Sequence, residues 1–509
     1  MRSDVRDLRR LWITAGRVLR RGVLVGAMIL SGCMAPDTRP TNKPLVFTTG
    51  SIQFRDAQNF GDVGIIIAFS GGGARSAAFG YGVLSALADQ PSPGGKNRML
   101  ADDVAVVAGV SGGAVLASHF ALRGRTGLDD FRRNFLGQDV EASLHTAFTP
   151  QNLLRGYQGG MNDLSGFPSW LDRKLFRGAT LGDMSRPDRP RLVIHATDLY
   201  NRNPFIFDRP SFAAICSNYN DYPLAYAVAA SAAVPVVFAP VTLQNFSKSC
   251  LPGDGGSPRA QSSARGATSL VEREYWNALG RYETAPDLNY LKLYDGGLVD
   301  GIGTQSLLHL MGRPAPEPLP AARARRLRHL LVIVVDASTR VGGDLSINAK
   351  SPKAPDAIVA AIDAMINIPN FQSFDALQNR LPVWRDQVIR WRCATQRSGK
   401  GCRDLDVGIV RLALADTADP PTAKRIMRLH NRLTLKPDDV DFLSGLGRRL
   451  LIEHPAYRQF LQRTGKGMPL ARSTPDLRRG GLVTARRHQY VLTFTLGIEA
   501  IRMPISGIG

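Results

Sequence analysis

Three apolar runs, each closing on a cluster of glycines, constrain this chain more than any other feature. Gly64-Ile65-Ile66-Ile67-Ala68-Phe69 runs into Ser70-Gly71-Gly72-Gly73-Ala74-Arg75. Val104-Ala105-Val106-Val107-Ala108 runs into Gly109-Val110-Ser111-Gly112-Gly113, and Leu291-Lys292-Leu293-Tyr294 into Asp295-Gly296-Gly297. Continuous β-branched runs without alternation suit strands covered on both faces, as in a parallel sheet. Helical text follows the first two clusters, at Ala77 to Leu87 and at Ala114 to Leu122. Strand, tight glycine loop, helix is the unit from which α/β sheets are built. The expected fold is therefore α/β, with a mostly parallel central sheet flanked by helices. Further strands are expected at Arg191–Ala196 and His329–Asp336.

The second cluster has the Gly-x-Ser-x-Gly form of a nucleophile elbow, with Gly109 and Gly113 making room and Ser111 at the tip. A serine there sits at a helix N-terminus, where the dipole favours developing negative charge. The same text also describes a plain turn without chemistry. The first cluster places backbone N–H groups around an anion, as an oxyanion hole or a phosphate cradle. A phosphate-binding loop wants Gly-Lys-Ser/Thr at its end, and this one ends Ala74-Arg75-Ser76. Acyl chemistry is favoured, with Gly71, Gly72 and Gly73 as the hole. Arg75 has two roles open to it: assisting the charged state, or pinning the loop through a carboxylate.

A serine nucleophile needs a group to take its proton. Among the eight histidines, His430, His454 and His488 lie in charged text away from any strand end, and His119 sits within the helix after Ser111. Asp295 opens a loop at the end of a strand and fits a general base acting without histidine. Asp254-Gly255-Gly256 repeats the tripeptide inside a Pro/Gly loop with no strand before it, which reads as a solvated turn. No cysteine or histidine cluster has metal-ligand spacing, so neither metal nor organic cofactor is expected.

Taken in order, Gly71-Gly72-Gly73-Ala74-Arg75, Gly109 to Gly113 and Asp295-Gly296-Gly297 resemble the motifs of the patatin-like phospholipase family. The run Ala230-Ser231-Ala232-Ala233-Val234-Pro235-Val236-Val237-Phe238-Ala239-Pro240 resembles another stretch of that family. The resemblance covers Val63 to Leu310. It implies a serine lipid acyl hydrolase in which Ser111 is the nucleophile, Asp295 the base of a Ser-Asp dyad, and Gly71 to Gly73 the oxyanion hole, with a lipid or phospholipid as substrate. Two departures stand out: Ser76 replaces a glycine often found after the basic residue, and Leu298-Val299-Asp300-Gly301 follows where many relatives carry asparagine. The alternative is an idle envelope lipoprotein that binds lipid or protein with the same fold.

At the N-terminus, seven arginines precede the apolar run Val23 to Leu30, and Leu30-Ser31-Gly32-Cys33 closes it. That is the layout of a signal peptide, too short to span a bilayer. Its ending resembles a bacterial lipobox, which implies acylation of Cys33 and, with Met34 next, an outer-membrane address in the cell envelope. Loss of residues 1–32 removes seven arginines and two aspartates and takes the formal charge from +21 to +16. This remaining charge suits an anionic lipid surface; no nucleic-acid module is recognisable.

Export makes disulfides plausible. Cys393 and Cys402 flank a short polar loop, and Cys216 and Cys250 make the expected second pair. The expected organisation is a leader (1–32), a tether (33–62), a catalytic domain (63–338) and a mainly helical C-terminal extension (339–509). The Ser/Gly/Arg-rich stretch between Phe246 and Asp287 reads as a tolerated loop or a cap.

Overall fold

The computed structural model describes residues 37–45, 61–95, 97–145, 149–186, 189–249, 269–339, 349–351, 354–395, 401–417, 419–429 and 432–465. Cys33, Cys250, Asp254, His430, His488, the leader and the C-terminal 44 residues lie outside them.

Eight strands form one sheet: β1 (Val63–Phe69), β2 (Val104–Gly109), β3 (Arg191–Asp198), β4 (Asn203–Ile206), β5 (Val241–Gln244), β6 (Tyr290–Tyr294), β7 (His329–Asp336) and β8 (Asp406–Ala413). The order is β5-β6-β3-β2-β1-β7-β8, with β4 also paired to β3. Pairings β3/β2, β2/β1, β1/β7 and β7/β8 are parallel; those among β3, β4, β5 and β6 are antiparallel. Every residue of β1 and β2 is buried. This agrees with the unalternating text of both strands and with the helices that cover the sheet.

The principal helices are α1 (Gly73–Asp89), α2 (Gly112–Arg123), α3 (Pro150–Tyr157), α4 (Leu224–Ser231), α5 (Leu270–Thr284), α6 (Thr304–Met311), α7 (Ala354–Thr395), α8 (Pro437–Glu453) and α9 (Pro455–Thr464). The expected mostly parallel α/β sheet flanked by helices is what the chain forms, and the described residues beyond 339 are mainly helical. That region is also woven into the core. β8 extends the sheet beyond β7, and α8 packs so closely on α1 that a Cβ on Gly82 would stand 1.9 Å from the Ser444 carbonyl oxygen. A Cβ on Gly447 would likewise stand 2.2 Å from Phe79 O. The stretch between Phe246 and Asp287 carries α5, whose Ser269 cap accepts the Glu272 N–H.

In the parallel register Phe69 lies beside both Gly109 and Val335, so β1, β2 and β7 end at one level. Their following loops therefore open on the same edge of the sheet, the position where α/β folds place ligands.

Candidate active site

The elbow is held by close packing. Val110 N–H donates to Phe69 O at 3.1 Å, after which Ser111 turns to φ 53°, ψ −121° and α2 begins. A non-glycine residue at positive φ is uncommon and is sustained only where its surroundings enforce it. Here the enforcement is steric: a Cβ on Gly109 would stand 2.5 Å from Gly113 O, and one on Gly113 2.4 Å from Ser70 O. A Cβ on Gly112 would stand 2.0 Å from Gly73 O, so the elbow and the first glycine loop are pressed together. Ser111 keeps 8% of its surface exposed, and its N–H donates to Ser231 Oγ at 3.1 Å. Ser231 is the last residue of α4, in the small-residue run noted in the sequence.

Asp295 arrives at the end of β6 and is fixed through its backbone. Its N–H donates to Ala233 O at 2.9 Å, and its carbonyl accepts Thr197 Oγ1 at 2.7 Å. The carboxylate accepts the Gly297 N–H at 2.8 Å and lies close enough to the Ser111 hydroxyl for that group to stabilise its charge. Burial pushes this carboxyl from 3.8 up to about 6, against the Gly297 N–H and the Ser111 hydroxyl, which lower it. The structure thus brings together the serine and the aspartate singled out from the sequence, with no histidine between them.

Three of the described histidines are bonded elsewhere. His119 lies buried with Nε2 3.0 Å from Gly127 O, and burial holds its imidazole below its ordinary value. His454 caps α9. His195 is the informative one, and motif reading passed over it. Its Nε2–H donates to Gly296 O at 3.1 Å, which leaves Nδ1 to accept the Ser306 hydroxyl at 2.8 Å. Ser306 N–H in turn donates to Asp300 Oδ2, and Thr304 N–H to Asp300 Oδ1, both at 3.1 Å. This fully buried chain holds the loop that presents Asp295. A histidine interrupting an apolar strand was the available signal.

The glycine loop divides its labour. Gly71 N–H donates to Gly301 O at 2.8 Å, so Gly71 ties the loop to the Asp295 turn and supplies no amide to an oxyanion. A Cβ there would meet Ser111 Cβ at 3.5 Å, an ordinary van der Waals contact. Gly72 (φ 124°) and Gly73 (φ 58°) follow in conformations that favour glycine. The N–H groups of Gly72, Gly73 and Gly112 have no acceptor among the described residues; Gly112 follows Ser111, and a Cβ on it would stand 2.0 Å from Gly73 O. Gly112 had not been singled out as a donor, although the residue after the nucleophile commonly serves as one.

Arg75, expected with the oxyanion hole, reaches away from it. Its Nε donates to Ala337 O at 3.0 Å and its Nη1 to Leu429 O at 2.7 Å, while Nη2 lies beside Gly72. These two bonds pin the loop through main-chain carbonyls. Ala74 N–H adds a bond to Arg432 O at 2.7 Å. Ser76, a departure from the family pattern, donates its hydroxyl to Ser70 O at 2.5 Å and closes the turn. The loop is therefore braced by β7 on one side and by residues 429 and 432 on the other.

Cys393 and Cys402 form a disulfide with Cα atoms 5.1 Å apart, where α7 leads into β8. Cys216 is also disulfide-bonded, and its expected partner Cys250 lies outside the described residues. Among the described residues no group of three or more His, Cys, Asp or Glu is placed to hold a metal, and no helix is long and apolar enough to cross a membrane.

Residues 67–308 match the family model for patatin-like phospholipase, from within β1 to within α6, and this span is a patatin-like phospholipase domain. No curated protein matches the chain. Among solved structures, human GIVD cytosolic phospholipase A2 is similar at 13% identity over 79% of this chain and 61% of that one, with a TM-score of 0.38. VipD from Legionella pneumophila is similar at 13% identity over 84% and 71%, with a TM-score of 0.28. The chain spans about three fifths of the length of the first of these.

Proposed function

We propose that this chain is a serine lipid acyl hydrolase, of phospholipase A or esterase type, working through a Ser111–Asp295 dyad. The observation that carries the reading is the buried Asp295 carboxylate whose charge the Ser111 hydroxyl stabilises, together with the N–H groups of Gly72, Gly73 and Gly112, which have no acceptor among the described residues. The patatin-like phospholipase domain supports a lipid as substrate.

In the proposed reaction Ser111 Oγ attacks the ester carbonyl carbon while Asp295 takes its proton. The amides of Gly72, Gly73 and Gly112 stabilise the oxyanion that forms. Collapse expels the alcohol, which leaves with the proton from Asp295. Water then attacks the acyl-enzyme and delivers a proton to Asp295. The second collapse releases the fatty acid and returns the proton to Ser111. These residues need no metal or organic cofactor for that cycle.

The Leu30-Ser31-Gly32-Cys33 ending supports acylation at Cys33, with membrane attachment in the bacterial envelope and an outer-membrane address. Cys33→Ala is then expected to release the protein from membranes and alter its processing. The deciding experiment for the reaction is labelling with a fluorophosphonate, mapped by mass spectrometry. Label at Ser111 that is lost in Ser111→Ala and in Asp295→Asn supports the dyad. A folded wild-type protein that takes no label in the presence of lipid vesicles favours the idle lipoprotein.

A further inference from the structure

The short helix α3 is built inside out. Its Thr149 cap holds the Asn152 N–H and Asn152 is buried, whereas Leu153, Leu154 and Tyr157 are 52%, 44% and 91% exposed. At spacings of three and four residues these side chains share one helix face. A helix serving a core turns such a face inward. Val236 lies beside them. It is 50% exposed and adopts φ +72°, a genuine outlier for a β-branched residue. Its Cγ1 comes within 3.4 Å of a Cβ placed on Gly156, and its carbonyl accepts the Met161 N–H at 3.0 Å. Helix and loop thus present one apolar surface. The loop of that surface is linked to the dyad, because Ala233, three residues before Val236, accepts the Asp295 N–H.

We propose that Leu153, Leu154, Tyr157 and Val236 form the surface by which this protein docks on a phospholipid bilayer. The inference rests on the hydrolase reading for its purpose, and two observations select the occupant. First, Asp37 N–H donates to Asp163 Oδ2 at 3.0 Å, six residues beyond Tyr157. Cys33 is four residues before Asp37, a distance of at most about 14 Å along an extended chain. An acyl group on Cys33 would enter its membrane on this side of the molecule. Second, the segment that carries Val236 is tied to the Asp295 backbone through Ala233, so a bilayer seated on this face lies on the side of the molecule from which acyl chains would reach the nucleophile. Exposed contiguous apolar groups of this kind mark an interaction site.

The test uses the processed chain from residue 33, carrying Cys33→Ser to remove the anchor and Ser111→Ala to prevent turnover. Its flotation with phosphatidylcholine/phosphatidylglycerol vesicles is compared with that of the same chain bearing Leu153→Ser, Leu154→Ser and Tyr157→Ser. The parent is expected to float, and the triple variant to lose vesicle affinity by about tenfold or more, given the apolar area removed. Tyr157→Ser alone is expected to lose a smaller part. With Ser111 restored, the triple variant should hydrolyse a soluble short-chain ester as fast as its parent while losing turnover of vesicle lipid, which also shows that it is folded. Equal flotation of parent and triple variant overturns the proposal, as does a parent that does not float. So does a parent that sediments as a dimer while the triple variant is a monomer with unchanged flotation. Because flotation is read without Ser111, loss of ester turnover in every chain would defeat the hydrolase reading while the docking result still stands or falls by itself.

Discussion

Replacing Asp295 with asparagine should abolish the reaction and stabilise the protein, and the second effect should grow with pH. The carboxyl is buried and pushed from 3.8 to about 6, so the folded state holds its proton more tightly than the unfolded chain does. For a carboxyl raised in this way, stability is highest at low pH and falls as pH rises from the unfolded value through the folded one. The ionised form costs the folded state about 1 kcal/mol at pH 4.5 and about 3 kcal/mol above pH 7, at 1.36 kcal/mol per tenfold-unit difference. Asparagine escapes that cost. Its amide nitrogen also faces the Gly297 N–H that the carboxylate accepts, which subtracts about 1 kcal/mol at every pH if the side chain cannot flip. The clean quantity is therefore the change with pH: Asp295→Asn should gain about 2 kcal/mol on wild type between pH 4.5 and 7.5. Guanidinium unfolding followed by tryptophan fluorescence at both values measures it. Fluorophosphonate labelling of wild type should rise with pH about a midpoint near 6, while the variant labels about 10²–10⁴ times more slowly. A pH-independent stability difference would refute the reasoning, and so would a variant less stable than wild type at pH 7.5 by more than it is at pH 4.5.

Three other perturbations follow from the same geometry. Arg75→Met removes two bonds to the Ala337 and Leu429 carbonyls and should cost about 3 kcal/mol or more; lysine should not restore it, because one ammonium cannot replace the fork, and urea midpoints of the three proteins decide. Ser231→Ala leaves the Ser111 N–H without its acceptor, which should cost about 1–3 kcal/mol and slow labelling at Ser111 more than it shifts the unfolding midpoint of the rest of the chain. Paired Cys393→Ser and Cys402→Ser changes should cost about 2–3 kcal/mol for the short loop they close, yet leave labelling unchanged. The bridge leads into the start of β8, beside His329, at the end of the sheet opposite the Ser111 loops.

The strands that matter were legible because they carry no alternation. β1, β2 and β7 are buried on both faces, and the glycine clusters after β1 and β2 mark where the backbone must turn sharply beside a neighbour. Asp295 was separable from Asp254 because only the former follows strand-like text, and Asp295 does stand at the end of β6; Asp254 lies outside the described residues. What stayed hidden depends on distance in sequence. Nothing in the text of Arg75 names Leu429 as its acceptor, 354 residues away, and charged helical text after residue 339 gave no hint that α8 would press on Gly82. β8 was missed for a simpler reason: Asp406 to Ala413 is interrupted by Asp406, Gly408 and Arg411 and only partly buried, as an outer strand of a sheet can be, and has no glycine motif after it. His195 was hidden by its strand, whose apolar pattern explained the segment so well that the one polar ring in it drew no attention.

A dyad without histidine poses a chemical problem that the fold itself addresses. An ordinary aspartate, at 3.8, is a poor acceptor for a serine proton at neutral pH, because catalytic bases work best with a pKa near the working pH. Burial at the end of β6 brings Asp295 to about 6, close to the 6.5 of an ordinary imidazole. Shielding a charge from water in this way destabilises the protein, so the loop that does it must be held by bonds that do not neutralise the carboxylate. Those bonds are all to its backbone or its neighbours: Ala233 O to its N–H, Thr197 to its carbonyl, and His195 to Gly296 O. A cation placed beside Asp295 would have steadied the loop as well, but it would have returned the carboxyl to the range of a weak base. The neutral His195, one residue removed from the carboxylate and kept unprotonated by its own burial, steadies the loop without that penalty. Its replacement by lysine or arginine should therefore slow labelling at pH 7 even in a folded protein, whereas glutamine, which keeps a neutral donor for Gly296 O, should retain most of it.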